Sequence, residues 1–255
     1  MAKPLPPRRY TSSREDYWRD MFNDLSGETA DYAVSGWSPQ GLRLRMEAYL
    51  GMLPTFNLPP DARVLDLGCG AGAYSRVLAE SGLRVVGVDY AWRVAVQARQ
   101  RTTTAPVDFL SADATCLPFA DARFDHVVCV GLFQSLQRYQ SAMAEIFRVL
   151  RPGGTLCLMT LNRRNLKNCL DRRLGREEII MVDGKPQPRL NTYDPVDFCA
   201  DLAAVGFVDP QLQPVQIYPA WLEPCRGLVG LWNRIPFLNY LTARSFMVVA
   251  KVPTR

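Results

Sequence analysis

Histidine occurs once in the 255 residues, as His126, and the seven cysteines (Cys69, Cys116, Cys129, Cys157, Cys169, Cys199 and Cys225) contain no C-x-x-C pair. Most of them sit inside predicted core elements, which argues against a disulfide framework or a zinc site. No apolar run approaches the roughly 18 residues of a membrane span. The start, Met1-Ala2-Lys3-Pro4-Leu5-Pro6-Pro7-Arg8-Arg9, has no apolar core and looks like a disordered basic arm over 1–13 rather than a secretory signal. The expected compartment is therefore reducing and cytoplasmic. Internal repeats and low-complexity segments are absent as well. A hydrophobic content of 48% with 22% charge fits a chain able to bury one core, and a single domain spanning 1–255 is expected.

What is present is sharper. Asp66-Leu67-Gly68-Cys69-Gly70-Ala71-Gly72 places an acid at the end of an apolar run and then three glycines at alternate positions. The preceding residues, 62–67, read as a strand and those from Ala73 onward as the opening of a helix. Glycine lets the backbone turn tightly and approach a ligand, and the free amides of a helix start favour a negative group. Alone, this run also fits the relaxed dinucleotide fingerprint G-x-G-x-x-G/A.

Three further features bear on that choice. Leu83 to Val88 is a second apolar run ending at Asp89, at the distance expected for a carboxylate that accepts from ribose hydroxyls. Ser111-Ala112-Asp113-Ala114, before Leu117-Pro118-Phe119, puts a third acid just beyond a third strand. Arg148-Val149-Leu150-Arg151-Pro152-Gly153-Gly154-Thr155 reads as a helix end, a turn and a new strand.

Taken in this order and spacing, D-L-G-C-G-A-G, G-V-D, S-A-D-A-x-x-L-P-F, F-D-x-V and R-V-L-R-P-G-G resemble a class I S-adenosylmethionine-dependent methyltransferase, from about Arg63 to Thr160. The resemblance implies S-adenosylmethionine (SAM) as cofactor. Asp66 with Gly68, Gly70 and Gly72 would hold its methionine part, Asp89 the ribose and Asp113 the adenine amino group. Tyr90 would flank the adenine and Ala114 lie near it, with Cys69 and Val130 completing the set. Nicotinamide enzymes usually carry an apolar residue or glycine where Asp66 stands, which rejects the dinucleotide reading. No metal is implied.

The coarse element order is helices from about Arg14 to Phe56, strand 62–66, helix 72–81, strand 84–88, helix 92–102, strands 107–111 and 124–130, helix 139–150 and strand 154–161. Helix 195–205 and strands 207–217 and 244–252 follow. This alternation makes an α/β, doubly wound, Rossmann-like sheet with helices on both faces. The resemblance supplies its order, 3-2-1-4-5-7-6 with the last strand antiparallel.

Substrate identity should reside in the additions to that core: a helical cap over 14–60 and insertions at 162–193 and 218–243. The cap carries Tyr17, Trp18, Phe22, Tyr32, Trp37 and Tyr49, which either cover the cofactor, wall an acceptor pocket or pack a helix on the sheet. Arg163, Arg164, Lys167, Arg172, Arg173 and Arg176 make a basic patch that suits an anionic substrate, an anionic membrane surface or nucleic acid, or is simply a solvated helix face. Thr160-x-Asn162-Arg163 resembles the same place in ubiquinone-pathway O-methyltransferases. The apolar 221–238 stretch either lies on a membrane, lines a lipophilic pocket, packs in the core or forms a dimer contact.

A general base is not evident. Gly131-Leu132-Phe133-Gln134-Ser135-Leu136 follows the fourth strand, where many relatives place His or an acid; Gln134 or Ser135 can only orient an acceptor. The other catalytic candidates are His126, which should point into or through the sheet, and Tyr193 and Asp194, the latter also a helix cap before Pro195. Cys129-Val130-Gly131-Leu132 lacks the Asn/Asp-Pro-Pro-aromatic motif of base-amino methyltransferases, and the first Glu after that strand is Glu145, on a helix. The expected activity is methyl transfer to a small, lipophilic or aromatic metabolite, with oxygen favoured. A macromolecular methyltransferase and a non-catalytic binding protein are the alternatives.

Overall fold

The computed structural model describes residues 14–103, 106–175, 179–182, 185–188, 190–216 and 236–254. The basic arm 1–13 and the stretch 217–235, which holds most of the second insertion, lie outside the described residues.

Seven strands form one sheet: β1 (Arg63–Leu67), β2 (Arg84–Asp89), β3 (Val107–Ser111), β4 (Phe124–Val130), β5 (Leu150–Leu161), β8 (Val208–Val215) and β9 (Ser245–Lys251). Their order is β3-β2-β1-β4-β5-β9-β8, which is the expected 3-2-1-4-5-7-6. Pairings from β3 to β5 are parallel, while β9 runs antiparallel to both neighbours. Strands β6 (Ile179–Val182) and β7 (Lys185–Pro188) form a separate hairpin.

Burial on both faces explains the continuous apolar stretches 127–130 in β4 and 246–250 in β9. Alternate side chains go to opposite layers, as strand geometry requires. Leu65, Val127 and Cys129 meet Ile146 of α6 (Tyr139–Val149) and Phe198 of α8 (Pro195–Val205) on one face. Val64, Val128 and Val130 meet Tyr49 of α3 (Pro39–Met52) and Tyr74 and Leu78 of α4 (Ala73–Glu80) on the other.

The N-terminal region forms α1 (Arg14–Leu25), α2 (Asp31–Val34) and α3, and α5 (Trp92–Arg101) follows β2. Helix α3 starts where its caps dictate: Ser38 Oγ accepts from Gly41 N at 3.0 Å and Pro39 occupies the first turn. The largest boundary difference lies at β5. Strand β5 already begins at Leu150, because the Gly153 N–H donates to Val252 and the Val252 N–H to Gly154, drawing the Pro-Gly-Gly turn into the sheet. Helix α7 (Leu166–Arg173) and a helix at Pro236–Thr242 stand within segments read only by composition. Among the described residues no helix is long and apolar enough to cross a membrane.

Candidate functional site

All the parallel strands point their C-terminal ends to one edge of the sheet, and the site is built there. Asp66 is the fourth residue of β1 and is 2% exposed. Its Oδ2 accepts from Ser75 Oγ at 2.6 Å, a bond supplied by the first turns of α4. Burial pushes this carboxyl up to about 7, with the nearby Asp89 adding to the rise and the Ser75 hydroxyl opposing it.

The chain then turns through Gly68, whose φ of +77° is open to glycine and strained for other residues. A Cβ there would stand 2.9 Å from Leu132 Cβ, so the loop after β1 and the loop after β4 touch backbone to side chain. The N–H groups of Gly68 and Cys69 donate to Val88 O at 2.7 and 3.0 Å, which fixes the loop against β2.

Asp89 at the end of β2 ties the same loop from the other side. One oxygen accepts from Gly70 N at 3.0 Å and the other from Ala91 N at 2.9 Å. Burial raises its pKa and these N–H groups hold it down. Tyr90 next to it stays exposed but is contacted by α1: the Arg19 guanidinium lies 5.1 Å from the ring centroid and donates to the hydroxyl at 3.1 Å.

These groups line one pocket, open at its mouth. It brings together Asp66, Gly68, Cys69, Gly70, Asp89, Tyr90, Val130 and Gln134. A smaller pocket shares Gly68, Asp89, Tyr90 and Leu132 with it and adds Asp113 and Ala114. Asp113 Oδ1 accepts from the backbone N–H and the hydroxyl of Thr115, both at 2.8 Å. Gly72 lines neither pocket; it starts α4, and a Cβ on it would press on Phe109 at 3.0 Å.

The other catalytic candidates are engaged elsewhere. His126 is fully buried in β4 with its ring between Tyr49 Oη at 3.1 Å and Thr155 Oγ1 at 2.6 Å, and burial drives its pKa down to about 3. Tyr193 donates its hydroxyl to Phe133 O at 2.7 Å within an aromatic stack. Asp194 caps α8 by accepting from Val196 N at 3.0 Å and pairs with Arg164 at 2.7 Å, which lowers its pKa. None of the three lines either pocket.

The roof over the pocket comes from the N-terminal helices, of which composition showed only the aromatics. Trp18 and Phe22 of α1 and Trp37 before α3 wall it, and Gly131 (φ +80°) lets Trp37 close in: a Cβ there would be 2.7 Å from the indole. Asp31 was not singled out. Its carboxylate pairs with Arg76 on α4 and with Arg101 on α5 at 2.8 Å, pinning α2 to the two helices that follow the glycine loop and Asp89. Glu15 accepts from the N–H of Gln137 at 3.0 Å and so bridges α1 to the far wall. Trp18 Nε1 and the Tyr74 hydroxyl are buried polar groups on this wall without a hydrogen-bond partner among the described residues.

Residues 65–158 match the methyltransferase domain family. The chain thus carries a methyltransferase domain, and the proteins it resembles are methyltransferases. A demethylmenaquinone methyltransferase of Renibacterium salmoninarum is 33% identical to it over 152 residues, covering 58% of this chain and 60% of that one. A 2-methyl-6-phytyl-1,4-hydroquinone methyltransferase of Synechocystis sp. is 31% identical over 215 residues, covering 78% and 63%. The chain spans about three fifths of the length of each of these two relatives. A SAM-dependent methyltransferase from Methanosarcina mazei shares the fold with a TM-score of 0.61 at 19% identity, over 80% of this chain and 98% of that one.

The raised Asp66 gives the protein a defined pH response. A carboxyl with a folded pKa near 7 and an unfolded one near 4 binds more protons when folded, so its ionisation penalises the fold as pH rises through that window. Asp66→Asn removes the penalty. Urea unfolding should show the variant equal to the parent near pH 4 and ahead by about 2 kcal/mol at pH 8, less than full linkage because the pocket admits water. A stability difference independent of pH would contradict the assignment.

Proposed function

We propose that the paired pockets bind SAM and that the protein transfers its methyl group to an oxygen of a small, lipophilic, aromatic acceptor. The donor set fits this cofactor: buried Asp66 is suited to a cationic ammonium group, Asp89 to ribose hydroxyls, and the shared floor at Gly68 to a close backbone approach. Asp113 and Ala114 in the smaller pocket suit an adenine ring, with Tyr90 beside it. When bound, SAM supplies an electrophilic methyl group whose leaving group is a neutral thioether.

The observation that carries the acceptor class is the apolar share that the N-terminal helices give the lining, Trp18, Phe22, Trp37 and Leu42, beside Glu15, Arg19 and Asp31. The acids on the lining are already engaged: Glu15 with backbone N–H groups, Asp31 with two arginines, Asp66 with Ser75 and Asp89 with Gly70 and Ala91. No histidine lines it. The residues therefore act by orientation and exclusion of water, with Gln134 placed to hold the acceptor, and the acceptor oxygen arrives ionised or acidic. Two relatives whose names specify a menaquinone precursor and a phytylhydroquinone support a lipophilic ring as the acceptor.

Methyl-labelled SAM incubated with lipophilic phenols, aromatic acids, total RNA and total protein tests this. Label should appear in an organic-extractable product carrying the methyl on oxygen. Label in RNA or protein, label on a ring carbon, or tight SAM binding without transfer would each overturn the corresponding part.

A further inference from the structure

Helix α7 is built inside out. Polar side chains at its start anchor it: Asn165, just before the helix, donates through Nδ2 to Thr242 O at 2.9 Å and Asn168 of its first turn to Asn162 O at 2.6 Å, while Asn162 Nδ2 holds Tyr240 O at 2.7 Å. Its apolar side faces away from the protein. Leu166, Leu170 and Leu174 are 65%, 55% and 53% exposed, although leucine is among the residues most often buried. The Leu174 N–H donates to Leu170 O at 3.0 Å, so the helical path carries all three.

Successive residues of a helix turn by about 100°, which puts the three leucines within about 80° of one another. On the same wheel Arg173 falls about 20° outside one edge of that stripe and Lys167 about 20° outside the other. Both are exposed, as is Arg163 just before the helix. From 163 to 175 the sequence carries Arg163, Arg164, Lys167, Arg172 and Arg173 against Asp171 alone. Leucines flanked by cations on a short exposed helix match the interfacial region of a bilayer, where the chains take the leucines and anionic headgroups the cations. Nucleic acid would be served by the cations and gain nothing from the leucines.

We infer that α7 is a docking helix for an anionic phospholipid surface. Its place in the fold gives the contact a purpose. Strand β5 ends at Leu161 and α7 begins at Leu166, so α7 leaves the sheet at the same edge where β1, β2 and β4 end and the pocket opens. Docking there presents the pocket edge to the membrane and shortens the path of a lipid-dissolved acceptor. The surface contact stands apart from the acceptor reading, since it rests on the helix alone.

Flotation of the full chain with phosphatidylcholine vesicles, with and without phosphatidylglycerol, tests it. The parent should float with the anionic vesicles, and Leu166→Ser combined with Leu170→Ser and Leu174→Ser should lower the bound fraction about tenfold or more. Circular dichroism and SAM affinity should stay unchanged, because these side chains touch neither the core nor the pocket. Lys167→Glu with Arg173→Glu keeps the leucines and should abolish the preference for anionic vesicles. Absence of flotation, equal flotation of the leucine variant, RNA binding that survives its loss, or a leucine-dependent dimer without vesicle binding would overturn the inference.

Discussion

Substituting Asp89 with alanine is expected to weaken SAM binding by about 10²–10³-fold, measured by calorimetry. Its carboxylate is the one group that clamps the glycine loop through Gly70 N and the following helix through Ala91 N while lining both pockets. Charge-assisted hydrogen bonds each contribute roughly 1.5–3 kcal/mol, and alanine deletes both those to a ligand and those that hold the loop. Two such bonds correspond to about 3–4 kcal/mol after partial compensation by water, which is the stated fold-change. Asp89→Asn keeps the shape but turns an N–H₂ toward one of the backbone donors, so it should fall between the two. Unchanged affinity in the alanine variant would make Asp89 a loop clamp and remove it from the cofactor site.

Phe133→Ala should cost about 3–5 kcal/mol of stability, the range for emptying a fully buried aromatic position. Phe133 is completely buried in the turn between β4 and α6, packing edge-on to Phe198 at 5.6 Å. Its carbonyl accepts from Tyr193, and the next two residues are Gln134 and Ser135 of the pocket wall. For a chain of this length the loss corresponds to a fall in Tm of roughly 10 °C. Urea unfolding showing less than about 1 kcal/mol would mean that the site collapses without a cavity. Tyr193, proposed from sequence as a catalytic group, thus sits where it supports the wall by packing.

The sheet was legible because the chemistry that makes it is local. Apolar runs ending in Asp66 and Asp89 mark strand, turn and ligand edge within a few residues, and alternation of strands and helices gives the layers. Strand order came from the resemblance and not from periodicity. The roof was illegible for the opposite reason. Asp31 meets partners 45 and 70 residues away, and nothing near it in sequence distinguishes it from any surface acid. Likewise Arg151-Pro152-Gly153-Gly154 carries turn residues, yet Val252 recruits it into β5 from across the chain. Charge alone marked the segment of α7; only the exposure of its leucines shows which way it faces.

His126 has a wider consequence for experiments on this protein. The sole imidazole is locked neutral between Tyr49 and Thr155, and with a pKa near 3 it carries no charge at any pH where assays are run. Histidine is the usual origin of inflections between pH 5 and 8. Here that background is silent, so an inflection recorded near neutral pH points to the buried Asp66 carboxyl and not to an imidazole.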